Sequence, residues 1–483
     1  MNKQQGLTLI ACLFLLMGIG RIFSLVGNNP VLGYGNNYDM IRLQACHQIW
    51  PADKFIDITA GTPAAPIRRY TLDKHVDTPC FPSSELLFTR IGIELGKLKN
   101  KMTGESLISI KTIGFVKATF LSLTVLLASV FFYRRKMYSA LLVNALVTLT
   151  VLSDPGVTLY MNTFYTEFSA VYFLYLTLIG VAVLANNHWR LPASWALLIG
   201  LMGLSFSKPQ YAPLAFCIAT LISLYALTKK QWAAVPLMLL CAALPFIAQQ
   251  GGWYTPRNAS MVRADNINLV GSMLGVSNSP EKVLADLGLP TSCNVLAGRN
   301  GYDATLQKTH ACPEIDRLST TTALSALLQN PVLTSHIAEH MLMQQKNWVF
   351  DMYGQVERGR NEPASNYQRT INSLLQQLPD RTTLAVSFIT TLAAIVLLII
   401  GKLRSGIFCE KHLFLLLLVA VQVIIITSAI LQGGTVGAAK SIHLFVPVLF
   451  SQVFILFMAF YIYALVTNSK HNTKKYFPTK VKK

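Results

Sequence analysis

Six ionisable side chains stand inside or at the ends of long apolar runs: Arg21, Lys117, Asp154, Glu167, Lys208 and Lys440. A charge placed in a membrane core costs about 3 kcal/mol or more, so such residues mark function by default. Four are cations and two are acids, and His443 follows Lys440 by one helical turn. Cations with acids nearby suit a phosphate held at headgroup level with its lipid tail running down between helices, because Lys and Arg supply charge-assisted hydrogen bonds to phosphate oxygens. The competing reading is snorkelling, in which each long cationic side chain reaches for water; the two acids are too short to do so. A seventh residue, Asp39, lies in Gly33-Tyr34-Gly35-Asn36-Asn37-Tyr38-Asp39-Met40-Ile41-Arg42, a Gly/Asn turn shortly after the first apolar run. A carboxylate beside a hydroxyl can act as a general base, whereas the competing role for Asp39 is to stabilise its turn through backbone hydrogen bonds. The remaining acids belong to Ser153-Asp154-Pro155 and Asn162-Thr163-Phe164-Tyr165-Thr166-Glu167. Asp before Pro also reads as a turn initiator.

The elements that must position these residues are membrane helices. The 483-residue chain is 52% hydrophobic and 13% charged, with a mean hydropathy of +0.44; a soluble domain carries about 25% charged residues. A cytosolic enzyme, a disordered tail and a fibrous repeat are excluded. Uncharged runs give ten candidate spans, about 7–26, 113–132, 138–152, 168–185, 194–207, 211–228, 232–248, 383–401, 412–431 and 441–466; several, such as 138–152 and 194–207, are shorter than the roughly 20 residues that cross a bilayer. The expected fold class is an all-α polytopic membrane protein. It divides into an N-terminal transmembrane module, 1–248, containing a first external loop, 27–112; a large external loop subdomain, 249–382; C-terminal transmembrane helices, 383–466; and a basic cytoplasmic tail, 467–483. The first run has no small-x-small site after it and reads as an uncleaved helix.

The net charge of +19 invites a nucleic-acid reading, but its placement argues for topology instead. With the N-terminus in the cytoplasm, the cytoplasmic segments hold 16 Lys/Arg and one acid, Glu410, while the two long loops hold 21 Lys/Arg and 19 acids. That asymmetry is the positive-inside pattern, and the tail suits anionic headgroups; no nucleic-acid partner is expected. In this orientation all six span-associated charges fall at outer helix ends. A coupled transporter or flippase would place ionisable groups near the bilayer midplane.

Four of the eight cysteines, Cys46, Cys80, Cys293 and Cys312, fall in the external loops, two in each. Disulfides persist outside the cytosol. Four cysteines allow three connectivities, and local closure favours Cys46–Cys80 and Cys293–Cys312; zinc competes, without any C-x2-C or H-x3-H spacing. Leu87, Ile91, Leu95 and Leu98 recur at helical steps among Glu94, Lys97, Lys99 and Lys101. This predicts an amphipathic helix lying at the outer interface or packed on the second loop. The second loop is long enough for a small ordered subdomain.

The layout resembles the GT-C class of integral-membrane glycosyltransferases, which includes the protein O-mannosyltransferases, the aminoarabinose transferase and bacterial O-antigen-modifying glucosyltransferases. The shared features are a long first external loop with an acid near its start, a second acid in the next external turn, a juxtamembrane helix, and a basic residue plus His at the last span, here Lys440 and His443. The resemblance implies a sugar donor on polyprenyl phosphate at the outer, periplasmic face of a bacterial inner membrane, and a glycan or lipid-linked acceptor. It implies Asp39 as the base, with Glu167 as an alternative base or acceptor-orienting group. Arg42, Lys208 and Lys440 would bind phosphate, with Lys117 and Arg21 secondary and His443 a supporting donor; Asp154 marks the second acidic motif. Relatives often carry Asp-Glu or Asp-x-Asp, whereas Met40 follows Asp39 and Pro155 follows Asp154. A divalent metal is therefore not indicated, and no other cofactor is implied. The alternatives are an O-antigen-type polymerase or ligase relying on Arg257, Arg263, Arg358 and Arg360, a transporter or flippase of lipid-linked glycans, and a non-catalytic scaffold.

Overall fold

The structure, a computed structural model, describes residues 3–344 apart from 36–37, 53–66, 77–78, 186–190, 209–210, 229, 233, 251–258, 300 and 302, together with strand 353–355 and four isolated positions beyond 388. The last two expected spans, the eighth apart from those four positions, the basic tail, and Arg257, Arg358, Arg360, Lys440 and His443 lie outside the described residues.

Helices coincide with the first seven apolar runs. α1 (Lys3–Gly27) and α4 (Ile110–Arg134) are long and apolar enough to cross a membrane. The third run is different. α5 (Tyr138–Val147) widens by one residue through Thr148–Leu152, where the Ser153 N–H donates to Thr148 O. The chain then bends by 72° into α6 (Pro155–Thr158) and a tight turn, Leu159–Asn162. Pro155 lacks the N–H that would continue the helix, and Asp154 caps the new one, its Oδ1 accepting the Gly156 N–H at 2.8 Å. The run expected as a plain span, 138–152, is thus helical but ends in a widened turn, and with 155–162 it makes a bent pair that is either a broken span or a re-entrant loop. Shorter apolar helices follow: α7 (Glu167–Ala185), α8 (Leu191–Ser205), α9 (Ala212–Thr228) and α10 (Ala234–Gln250). Gly200 and Gly203 of α8 lie directly against Thr177 and Phe173 of α7, the close backbone approach that small residues permit between membrane helices.

The two long loops correct the all-α expectation with two small antiparallel sheets. In the first loop, β1 (Leu32–Tyr34) precedes α2 (Tyr38–His47), and β2 (Trp50–Pro51), β3 (Arg69–Thr71) and β4 (Ile108–Ser109) form one sheet in the order β2-β3-β4. α3 (Leu86–Thr103) lies before β4. Phe88, Gly92, Ile93 and Gly96 form its buried face, while Leu87, Leu95, Leu98 and Met102 are exposed. The leucine stripe read from the sequence therefore faces outward, as an interfacial helix requires. The second loop is helical: α11 (Ala259–Val276), α12 (Pro280–Asp286), α13 (Ala304–Thr309), α14 (Thr320–Gln329) and α15 (Pro331–Gln344). Its returning strand β5 (Tyr353–Gln355) pairs with β1, Gly354 opposite Gly33. Both expected disulfides are formed, Cys46–Cys80 with Cα atoms 4.6 Å apart and Cys293–Cys312 with Cα atoms 4.9 Å apart.

Candidate functional site

The two acidic turns picked out in the sequence meet. The segment leaving α1 is stitched onto the bent turn before α7: Asn162 Nδ2 donates to Val26 O at 3.1 Å and Leu32 O at 2.9 Å. Tyr34 OH donates to Gly156 O at 2.9 Å, and Tyr165 OH donates to Gly35 O at 3.1 Å. The Tyr34 and Tyr160 rings pack at a tilt of 34° with centroids 4.3 Å apart, and all three tyrosines are buried. These bonds dock β1, and so the start of α2, against the turn that carries Asp154 and Glu167. Asp39 is the second residue of α2; its side chain lies outside the described residues. Arg42 is half-buried one turn along α2, whose end is held by the Cys46–Cys80 disulfide and by the Phe81 N–H donating to Arg42 O at 3.3 Å.

Glu167 opens α7, where a carboxylate complements the exposed N–H groups of the first turn. It is fully buried, and its Oε1 lies 3.4 Å from Lys208 Nζ, which follows α8 and keeps 12% exposure. This brings together two residues far apart in sequence that had been singled out independently. Lys117 lies close enough to Glu167 to interact with it electrostatically.

Lys117 itself is committed within the protein. Its Nζ lies 2.7 Å from Glu85 Oε1 and donates to Thr163 O at 2.6 Å and to Tyr160 O at 3.3 Å. Those three contacts match the three protons of an ammonium group, and both Lys117 and Glu85 are fully enclosed. A donor-phosphate role for Lys117 does not fit this geometry; it is an internal ion pair. The other Glu85 oxygen accepts the Ser169 N–H at 2.7 Å. Burial pushes the Glu85 carboxyl up, while the Lys117 charge and hydrogen bond and the Ser169 N–H pull it back. Sequence reasoning missed Glu85, which stood among the many acids of the loops. The signal that could have found it is the cation one turn inside α4, which needs an acid partner, and the acid opening the amphipathic stretch.

Arg21 and Asp154 interact electrostatically beside the broken helix, away from the Glu167–Lys208 contact, and Asp154 also serves as the cap of α6. Among the described residues, the one group of His, Cys, Asp and Glu side chains close enough to hold a metal is Cys293, Cys312 and Glu314, and its two sulfurs are joined in a disulfide. Arg263, a candidate for the polymerase reading, is buried inside the second-loop subdomain, where it donates to Asp316 Oδ1 at 2.9 Å and to Ala311 O at 2.8 Å. The arrangement can therefore hold an anion at Lys208, at the edge of a buried charge cluster.

Residues 2–322, more than half of the chain, match the family model described as YfdI N-terminal transmembrane domain. No curated protein and no solved structure matches.

Proposed function

Because the chain belongs to the family of the YfdI N-terminal transmembrane domain, we propose that it is an integral-membrane glycosyltransferase of the GT-C kind. The donor is a sugar on polyprenyl phosphate, and the acceptor is a glycan or lipid-linked hydroxyl at the outer face of a bacterial cytoplasmic membrane. The observation that carries the reading is the Glu167–Lys208 contact; hydrogen bonds of Asn162, Tyr34 and Tyr165 tie the segment leading into the Asp39 helix to the turn that precedes Glu167.

In this mechanism Asp39 takes the proton from the acceptor hydroxyl as the oxygen attacks the anomeric carbon. The bond from that carbon to the phosphate oxygen breaks, the anomeric configuration inverts, and polyprenyl phosphate departs carrying an additional negative charge. Lys208 meets that charge, and a fixed cation there lowers the barrier without reorganising during the step. Arg42, Lys440 and His443 are the further phosphate donors of the proposal. Glu167, enclosed and paired, holds Lys208 in place and is suited to orienting the acceptor rather than to exchanging protons with solvent. The chain crosses the membrane ten times with both termini cytoplasmic.

The test replaces Asp39 by Asn and Glu167 by Gln in the host and follows cell-surface glycan by mass spectrometry at matched membrane expression. Asp39→Asn is expected to lower modification by about 100-fold or more, the usual loss when a general base is removed. Wild-type modification by both variants sinks the assignment.

A further inference from the structure

Glu85 lies outside the proposed chemistry, yet it is fully enclosed and both contacts of its carboxylate lead toward Glu167. Its Oε1 holds Lys117 at 2.7 Å, and its Oε2 accepts the N–H of Ser169, two residues beyond Glu167, at 2.7 Å. Lys117 in turn donates to Thr163 O, four residues before Glu167, and to Tyr160 O. The turn that delivers Glu167 is thus gripped on both sides by one ion pair. The anchoring comes from two other elements: Glu85 precedes α3, and Lys117 lies in α4. The adjoining serines fix the same strap to α8, with Ser83 Oγ donating to Ser207 O at 2.7 Å and Ser84 Oγ to Gly203 O at 2.8 Å. Ser207 directly precedes Lys208. The short segment Ser83-Ser84-Glu85 therefore sets both partners of the Glu167–Lys208 contact.

The charges form a balanced set. Two carboxylates, Glu85 and Glu167, alternate with two ammonium groups, Lys117 and Lys208, and Lys117 interacts with both acids. With Glu85 neutral, Lys117 remains enclosed with Glu167 as its nearest counter-charge. Attraction in a low-dielectric site is strong, so Glu167 would be drawn toward Lys117 and away from Lys208.

We infer that Glu85 is a positioning residue that, through Lys117, apportions Glu167 between the two lysines and so keeps the Glu167–Lys208 contact in register for sugar transfer. This rests on the glycosyltransferase reading above. Removing the Glu85 charge has a specific consequence: Lys208, released from Glu167, still binds phosphate, but the site is no longer aligned for the chemical step.

The experiment uses the full-length protein. Decaprenyl phosphate serves as the binding probe on purified protein in nanodiscs, and glycan modification in the host is scored by mass spectrometry. Thermal unfolding of each variant reports folding. Glu85→Gln is expected to bind decaprenyl phosphate within twofold of wild type or more tightly, while modification falls at least tenfold. Glu85→Asp, which keeps the charge, recovers part of that loss. Breaking a buried ion pair from one side leaves the other charge enclosed and unpaired. If Glu85→Gln does not fold, the double variant Glu85→Gln with Lys117→Met removes the competing ammonium as well and is expected to leave Glu167 on Lys208, with modification within threefold of wild type; a folded double variant that loses modification at least tenfold overturns the apportioning role.

Lys208→Gln and Glu167→Gln separate the two levels of the argument. Lys208→Gln is expected to weaken probe binding at least tenfold; unchanged binding overturns the glycosyltransferase reading of the site. If Lys208→Gln and Glu167→Gln fail as expected but folded Glu85→Gln, with Lys117 intact, modifies glycan at wild-type level, the positioning role alone is overturned. Equal loss of binding and modification, in proportion to lost folded protein, assigns Glu85 a structural role and also overturns it.

Discussion

His47 closes α2 with its ring wedged between α2 and α3, sharing a 2.7 Å hydrogen bond with Thr89 Oγ1. Burial, then the nearby charges of Arg90 and Lys97, lower its pKa from 6.5 to about 4, against a smaller opposing pull from Glu94. The folded protein therefore keeps this imidazole neutral where the unfolded chain protonates it. Above pH 6.5 neither state binds the proton and the stabilisation is complete. As pH falls from 6.5 to about 4 the unfolded state alone takes it up, and stability declines by up to about 3 kcal/mol across that window. The measurement is thermal unfolding against pH for wild type and His47→Gln. The difference between the two should shrink progressively between pH 6.5 and 4, and a constant difference removes the assignment. At this scale the sequence was legible where the background was quiet. Glu167 and Lys208 stood out because they are isolated charges beside apolar runs, and their contact followed. Glu85 and His47 did not, because they lie in loops rich in charge, where only burial distinguishes a structural group from a solvated one.

The helices were legible for a related reason: an apolar run long enough to cross a bilayer has few other physical readings. The bends at the ends of runs were harder to see. The bend after Leu152 depends on a widened turn, a proline and a capping carboxylate acting together, and two- or three-residue strands carry too little alternation to register. α3 shows what periodicity does and does not reveal. Its leucine stripe marked an amphipathic helix, but the face that packs on α4 is lined with glycines that hydropathy ignores. A Cβ on Gly92 would lie 2.8 Å from Ile113 Cα, a backbone atom that cannot step aside, and one on Gly96 would lie 2.8 Å from Ile108 Cδ1. Gly92→Ala should therefore push α3 off α4 and cost about 1–3 kcal/mol, the usual penalty of overpacking. Gly20→Ala is the matched control, since nothing lies within 4 Å of its added Cβ, and relief of glycine's backbone entropy should leave it neutral or up to about 1 kcal/mol more stable. Thermal unfolding of both purified variants decides it: equal shifts would mean that the tight α3–α4 approach carries no energetic weight.

The pairing of β1 with β5 constrains the whole molecule. β1 belongs to the first long loop and β5 to the second, and hydrogen-bonded strands must lie on the same side of a membrane. Between them the chain passes through α4, the broken helix of residues 138–162, and α7, α8, α9 and α10. An even number of crossings returns the chain to its starting side. If the other five helices each cross, the broken helix must cross as well; as a re-entrant loop it would leave the two strands on opposite faces. The positive-inside count then selects which face that is, and disulfides in both loops suit the oxidising side. In right-side-out membrane vesicles, a membrane-impermeant maleimide should label Cys46, Cys80, Cys293 and Cys312 only after reduction, without permeabilisation, and Cys409 only after it. Labelling of one loop pair from outside and the other from inside would break the strand pairing and the parity argument together. Labelling of all four only in permeabilised vesicles would preserve the fold but invert its orientation, moving the Glu167–Lys208 site to the cytoplasmic face and away from the proposed acceptor.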